Sequence, residues 1–262
     1  MVTAFYDALN ESGTSGNYRS TPATGGPWSP HLQHGGPPSA LLVYTAERVA
    51  AAATGRADLV AVRFAAEFVG PVPVADLSIA AKVVRAARSA VLVEATLNVD
   101  GRDCLAARVW LVRGADTGHI AAPPTPQPEP AGTGLGAGFP YGEHIEWRVV
   151  RGGLRTPGPG AVWARPQIDL VDGRVPSGLQ RAALIGDSAS GISSELDWSV
   201  WSFLNVDLDV HLARPMRGDW LLMDAATQLG PSGSALTRSL LSDADGPLGS
   251  TLQTLVLSPI AR

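Results

Sequence analysis

Cysteine is almost missing from this chain. The single Cys104 among 262 residues excludes an intrachain disulfide, and a reducing, cytoplasmic location fits. Long apolar runs are missing too. No stretch of 18 or more apolar residues occurs, so no membrane span is expected. The opening segment Met1–Gly16 is polar and small, without the basic n-region and apolar core of a signal peptide. Charge is sparse at 17%, with a formal net charge of -4. A mildly acidic chain without a basic cluster argues against a sequence-independent nucleic-acid binder. It leaves room for a locally basic groove that meets a phosphorylated ligand. A P-loop and a dinucleotide fingerprint are both absent.

What is present is apolar. Hydrophobic residues make up 45% of the chain, enough for a real core, and the length allows one large domain or two of about 130 residues. Gly114–Phe139 holds the run Ala-Ala-Pro-Pro-Thr-Pro-Gln-Pro-Glu-Pro and then several glycines. That composition favours polyproline II and coil, so it reads as a linker. It separates residues 1–113 from residues 140–262.

The two parts share a pattern. The first has a helix expected from Pro37 to about Ala53, with apolar Ala40, Leu41, Val43, Tyr44 and Val49 on a half-buried face. Pro37 and Pro38 suit a first helical turn, which needs no backbone donor. Strands are expected at Asp58–Val69, Asp76–Ala86, Ser89–Asp100 and Asp103–Arg113, with Asp100-Gly101 as a hairpin turn. The second part has short strands near His144–Val150 and Ala161–Ile168, then a helix from about Pro176 to Ala189. Strands at Trp201–Leu212, Asp219–Thr227, Ser232–Leu241 and Ser250–Ser258 follow. Gly70-Pro71 matches Arg214-Pro215, and Asp100-Gly101 matches Asp245-Gly246. A repeat this long, with matched turns, points to domain duplication rather than a solenoid. Each part reads as strand, helix, then antiparallel strands. One long helix wrapped by a curved sheet buries both apolar faces. The expected class is α+β, a double hot dog. Val206, Leu208, Val210 and Leu212 alternate with Asp207, Asp209 and His211, as a strand wetted on one side should.

Several residues could carry chemistry. His34-Gly35-Gly36 precedes the first helix. The glycines let backbone approach a ligand, and the helix N-terminus offers N–H donors to an oxyanion. The same pair equally suits a tight turn with unusual dihedrals. His-Gly-Gly also occurs in the oxyanion loop of lipases, but Gly186-Asp187-Ser188-Ala189-Ser190 fails the Gly-x-Ser-x-Gly pattern at its last position, so a serine hydrolase is rejected. Asp207 is an acid in an apolar strand pattern, with Asp209 and His211 on its face. A solvated sheet face explains all three equally. Thr227, Gln228 and Gln253 are polar residues in or near later strands. His31 and His34 are spaced H-x-x-H without a carboxylate-bearing helical motif, so no metal site is expected. Cys104 lies in a strand pattern as a small core residue.

These strings carry a family likeness. Trp28-Ser-Pro-His-Leu-Gln-His-Gly-Gly-Pro-Pro-Ser-Ala-Leu-Leu resembles the first helix entry of the bacterial acyl-CoA thioesterase II family. Asn205-Val-Asp-Leu-Asp-Val-His-Leu-Ala-Arg-Pro215 resembles its strand ending in a basic residue and proline. Trp220-Leu-Leu-Met-Asp-Ala-Ala-Thr-Gln and Ser250-Thr-Leu-Gln-Thr resemble its next two signatures. The likeness spans about residues 25–113 and 140–258, and the subgroup looks like the actinobacterial thioesterase-like proteins. It implies a double hot dog with its two helices packed together and its sheets joined edge to edge. It implies an Asp, a Thr or Ser and a Gln holding the hydrolytic water. By motif these fall on Asp207, Gln253 and either Thr227 or Gln228. Substrate contacts would come from His34, Gly35, Gly36 and Gln228.

Three functions follow as expectations. The first is acyl-CoA hydrolysis to free fatty acid and CoA, needing no metal or organic cofactor, because positioning plus one base suffices for an activated carbonyl. The second is non-catalytic binding of an acyl-CoA or another apolar ligand. The third is a dehydratase or hydratase, disfavoured because Pro176–Ser188 contains no His. The expected partner is acyl-CoA, with no nucleic acid and no membrane span. Exposed sheet edges allow a homodimer or larger homo-oligomer.

Overall fold

The computed structural model describes residues 2–260 apart from 122, 124 and 129. The part of the expected linker that falls on Ala122, Pro124 and Glu129 lies outside the described residues. A hairpin of β1 (Ala4–Glu11) and β2 (Ser15–Ser20) precedes the long helix α1 (Gly36–Thr54). Then come β3 (Leu59–Phe68), β4 (Asp76–Ala86), β5 (Ala90–Val99) and β6 (Arg102–Arg113). After a stretch of irregular chain follow β7 (Thr133–Gly134), the short α2 (Pro140–Glu143), β8 (Ile145–Arg151), β9 (Gly160–Pro166) and β10 (Asp169–Val171). The second long-helix position is divided between α3 (Gly178–Gly186) and α4 (Ala189–Ile192). The chain closes with β11 (Trp201–Asn205), β12 (Asp207–Leu212), β13 (Leu221–Leu229), β14 (Ser234–Asp243) and β15 (Gly246–Pro259).

The local chemistry explains these boundaries. Pro37 and Pro38 occupy the first turn of α1, and Gly55 ends it in the left-handed region at φ 64°, which costs glycine little. Gly36–Val43 is buried on every side, as expected of a helix enclosed by a sheet. Asp100 and Gly101 both have positive φ, 49° and 79°, so the expected Asp-Gly turn joins β5 to β6.

The strands form one sheet. The order β1-β2-β4-β5-β6-β3 in the first part of the chain is repeated as β8-β9-β13-β14-β15-β12 in the second. The two runs join where β3 pairs antiparallel with β12, Asp207 opposite Glu67. They are also stitched by a parallel pairing of β1 with β10. Helices α1 and α3 pack on each other inside the sheet, and most buried apolar side chains of both parts form one cluster.

One expectation gains its bounds and another needs correction. The strand expected before the first helix had no bounds and falls within Met1–Gly16, where Ala4, Phe5 and Tyr6 are buried, Tyr6 opposite Ser20 of β2 and Ala4 opposite Asp169 of β10. The single strand expected at Trp201–Leu212 breaks at Val206. Asn205 lies opposite Leu255 and Asp209 opposite Leu252, so one strand carries an extra residue against the other. Such a bulge reverses which side chains face inward. Phe203 is buried before it, and Leu208, Val210 and Leu212 after it.

Candidate active site

The site forms where the start of α1 meets the end of α3. The two helices touch because glycine removes the side chains that would separate them. A Cβ on Gly36 would lie 2.1 Å from the Leu184 carbonyl oxygen. A Cβ on Gly186 would lie 2.9 Å from Thr251 Cγ2 of β15. Gly35 has an ordinary helical φ of -66°. The glycine pair therefore serves close approach, and unusual dihedrals are not the reason for it.

This approach buries a carboxylate. Asp187 caps the end of α3, with a side chain 4% exposed. A carboxylate so placed must be paired or hydrogen-bonded. Oδ2 of Asp187 lies 2.9 Å from Nδ1 of His34. Oδ1 accepts from Asn205 Nδ2 at 2.7 Å and from Gln253 Nε2 at 3.4 Å. Gln253 Nε2 also donates to the Asp187 main-chain carbonyl at 3.1 Å. A Cβ on Gly35 would lie 2.8 Å from both Asp187 carboxylate oxygens, so glycine there is what lets the acid sit against α1.

Each partner is held from behind. The His34 ring stacks on Tyr141 at 4.0 Å between centroids. Tyr141 is fully buried and donates to the Leu184 carbonyl, and burial pushes its phenol far above the usual range. His34 Nδ1 also lies 3.1 Å from the Gly36 N–H. Unprotonated, Nδ1 accepts from Gly36; protonated, it donates to Asp187. Gln253 points inward from β15 between buried Thr251 and Leu255. Its Oε1 is buried and takes no protein donor among the described residues. An orphaned buried acceptor costs on the order of 1–3 kcal/mol.

His34, Gly35, Asp187 and Asn205 line a cavity of about 580 Å³, and Phe68, Phe139, Trp147 and Trp198 line it as well. At the start of α1, four N–H groups lack helical acceptors. Pro37 and Pro38 have none to offer, and the Gly36 N–H is directed at His34 Nδ1. That leaves the Gly35 N–H on the cavity wall.

The other expected residues go elsewhere. Asp207 is directed away from Gln253. Its carboxylate accepts from the Thr254 N–H at 2.5 Å and the Thr254 hydroxyl at 3.1 Å. Thr254 is exposed and Gln253 is buried, because neighbouring residues on a strand face opposite ways. The bulge at Val206 puts Asp207 on the outer side. Thr227 faces inward and shares its hydroxyl with Ser193 at 2.8 Å and Thr237 at 2.7 Å. Thr237 stands opposite Gln253 in the ladder, so Thr227 is two strands, about 10 Å, from Gln253. Gln228 is exposed on the outer face. His34, Gly35 and Gln253 are brought together; Asp207, Thr227 and Gln228 do not join them.

Asp187 and Asn205 were missed. Asp187 lies in Gly186–Ser190, the string that fails as a nucleophilic-serine pattern. The available signal was an acid alone in the otherwise uncharged stretch Ala182–Ile192. Asn205 was hidden by the bulge, which breaks the alternation two residues later.

Models of the acyl-CoA thioesterase N-terminal domain and C-terminal domain match residues 24–112 and 119–257. The chain belongs to the acyl-CoA thioesterase family. As a member of it, the protein is a thioester hydrolase. No curated protein matches the thioesterase's sequence. Solved structures resemble it over nearly the whole chain. The tesB protein of Mycobacterium avium subspecies paratuberculosis is 17% identical, with 96% of each chain covered and a TM-score of 0.70. The acyl-CoA thioesterase II TesB2 of Mycobacterium marinum is 16% identical, with 97% of this chain and 96% of that one covered and a TM-score of 0.71. A conserved protein of unknown function with a hot-dog fold from Alicyclobacillus acidocaldarius is 18% identical, with 97% and 96% covered and a TM-score of 0.72. These likenesses establish the hot-dog fold for this thioesterase. Among the described residues no group of His, Cys, Asp or Glu is arranged to hold a metal, and no helix is long and apolar enough to cross a membrane.

Proposed function

We propose that this thioesterase is a double hot dog, residues 1–113 and 140–262 joined by the linker 114–139, and that it hydrolyses acyl-CoA using water activated at Asp187. The observation that carries the reading is the convergence of Asn205, Gln253 and His34 on one buried carboxylate in the cavity wall. The repeated strand order supports the doubled fold.

Asp187 takes a proton as the water oxygen bonds to the thioester carbon. The carbonyl oxygen then carries the charge, and the Gly35 N–H is the donor free to meet it. Preorganised donors of this kind act strongly in a site closed to bulk water. The C–S bond breaks as the carbonyl re-forms, and the proton on Asp187 passes to the departing CoA sulfur. Asn205 and His34 fix the carboxylate, and Gln253 Oε1 is the acceptor that holds the water's second proton. These roles replace those expected of Asp207 and Thr227.

The test pairs Asp187→Asn with Asp207→Asn and follows free thiol released from acyl-CoA. Loss of a general base predicts a ~100-fold or greater fall for Asp187→Asn and little change for Asp207→Asn. The reverse pattern would return the role to Asp207.

A further inference from the structure

The cavity wall is unusually rich in rings. Three of the chain's seven Trp and three of its five Phe line it: Trp28, Trp147, Trp198, Phe68, Phe139 and Phe203. Among the described residues the only ionisable side chains on the wall are His34 and Asp187. Trp28, Trp198 and Phe203 form a fixed cluster. Trp28 stacks on Trp198 at 5.8 Å between centroids with planes 29° apart. Phe203 meets them edge-on, at 5.1 Å and 87° to Trp28 and at 5.2 Å and 77° to Trp198.

We infer that the acyl group this site takes carries an aromatic ring, so that the substrate class is arylacyl-CoA rather than straight-chain acyl-CoA. The inference rests on the hydrolytic reading above and names its substrate. An alkyl chain and an aromatic ring gain alike from burial of apolar area. Only the ring gains in addition from the ring surface that Trp28, Trp198 and Phe203 do not spend on one another or, for Trp198, on Arg155, whose guanidinium lies 5.9 Å from that ring's centroid; their quadrupoles favour stacked and edge-on partners. A rigid ring also loses fewer rotamers on binding than a chain of similar size. The space is sufficient: a cavity of about 150 Å³ suits one benzene, and this one measures about 580 Å³.

Position identifies what the cluster reads. Phe203 and Asn205 lie on the same side of β11, two residues and so about 7 Å apart. That spacing puts the rings within a few bonds of a carbonyl held at Asp187. The adenine of CoA lies at the far end of the pantetheine arm and cannot stack there while the thioester is in the site.

The experiment compares kcat/KM for phenylacetyl- and cinnamoyl-CoA with hexanoyl-, octanoyl- and decanoyl-CoA. It also compares the binding of non-hydrolysable thioether analogues of the same acyl groups. The expected result is about a tenfold or greater preference for the ring in both measurements. Trp198→Leu and the more exposed Trp28→Leu are expected to lower the aryl values several-fold more than the octanoyl value. Equal or better turnover and binding of straight chains overturns the inference and leaves the hydrolytic reading standing. Turnover of no thioester, with the ring preference retained in thioether binding, sinks the hydrolytic reading and upholds this one.

Discussion

Nδ1 of His34 lies 2.9 Å from Oδ2 of Asp187, and the two side chains are 10% and 4% exposed. One comes from the approach to α1 and the other from the end of α3, so the pair ties the two parts of the chain together at the site. Removing the imidazole frees the carboxylate to rotate away from the cavity. His34→Leu is expected to lower kcat roughly 10- to 100-fold with a smaller change in KM. Full activity in that variant would show that Asn205 and Gln253 orient the acid alone.

The adjacent glycines should separate stability from turnover. In Gly36→Ala the new Cβ meets the Leu184 carbonyl oxygen, which is backbone and cannot swing aside. A cost of about 3 kcal/mol is expected, seen as a fall in Tm of about 6–12 °C. In Gly35→Ala the Cβ meets the Asp187 carboxylate and the Phe68 ring edge, which can turn. Here thermal stability should hold better, while thiol release falls about tenfold. If both variants melt and turn over like the parent, the close approach described between α1 and α3 is wrong.

Glu47 makes stability depend on pH. Burial between α1 and α3 pushes its carboxyl from the ordinary value of 4.5 up to about 7, against the opposing donation from Gln180 and Ser177. Gln180 Nε2 lies 2.5 Å from Glu47 Oε2. The folded state thus keeps its proton where the unfolded chain has lost it. Stability should fall as pH rises between about 4.5 and 7 and level off above, by up to ~3 kcal/mol. Glu47→Gln should flatten this dependence. Melting curves at pH 5 and pH 8 for both proteins test it, and parallel pH profiles would count against it.

Arg214 and Asp243 hold the turn before β15. Asp243 is fully buried and takes two guanidinium bonds from Arg214, at 2.7 and 2.5 Å, together with the N–H groups of Arg217 and Asp245. Burial alone would raise this carboxyl. Arg214 and the two N–H groups outweigh it and hold the acid below its usual range. Its contribution is therefore present above the unfolded carboxylate range and lost as pH falls through the folded value. Asp243→Ala should cost about 3–5 kcal/mol near neutral pH and less in acid. Denaturant unfolding at two pH values checks both the size and the sign.

Some of the molecule was legible in local chemistry. Prolines at the start of α1, the Asp-Gly turn after β5 and the periodic apolar strands place most of the expected elements within two residues of where they lie, while β1, β2, β7, β10 and α2 were given no bounds. The matched Gly70-Pro71 and Arg214-Pro215 already suggested a repeat, and the repeated strand order agrees with it. A glycine before a helix and an amide inside an apolar strand are anomalies visible in one dimension, and in the fold His34, Gly35 and Gln253 all lie against Asp187.

The site's centre was decided by the tertiary structure. One extra residue at Val206 changes the side of the sheet on which Asn205 and Asp207 fall. The alternation with Leu208, Val210 and Leu212 already put Asp207 on the wetted side; the register change that turns Asn205 the other way is what residue types alone did not reveal. Asp187 gained its place only when Gly36 and Gly186 let α3 approach α1 and β15. By itself the sequence determined the elements it placed, since propensity and periodicity act over a few residues. Which carboxylate meets Gln253 depended on packing between segments far apart in the chain, and there Asp187 stood where Asp207 had been expected.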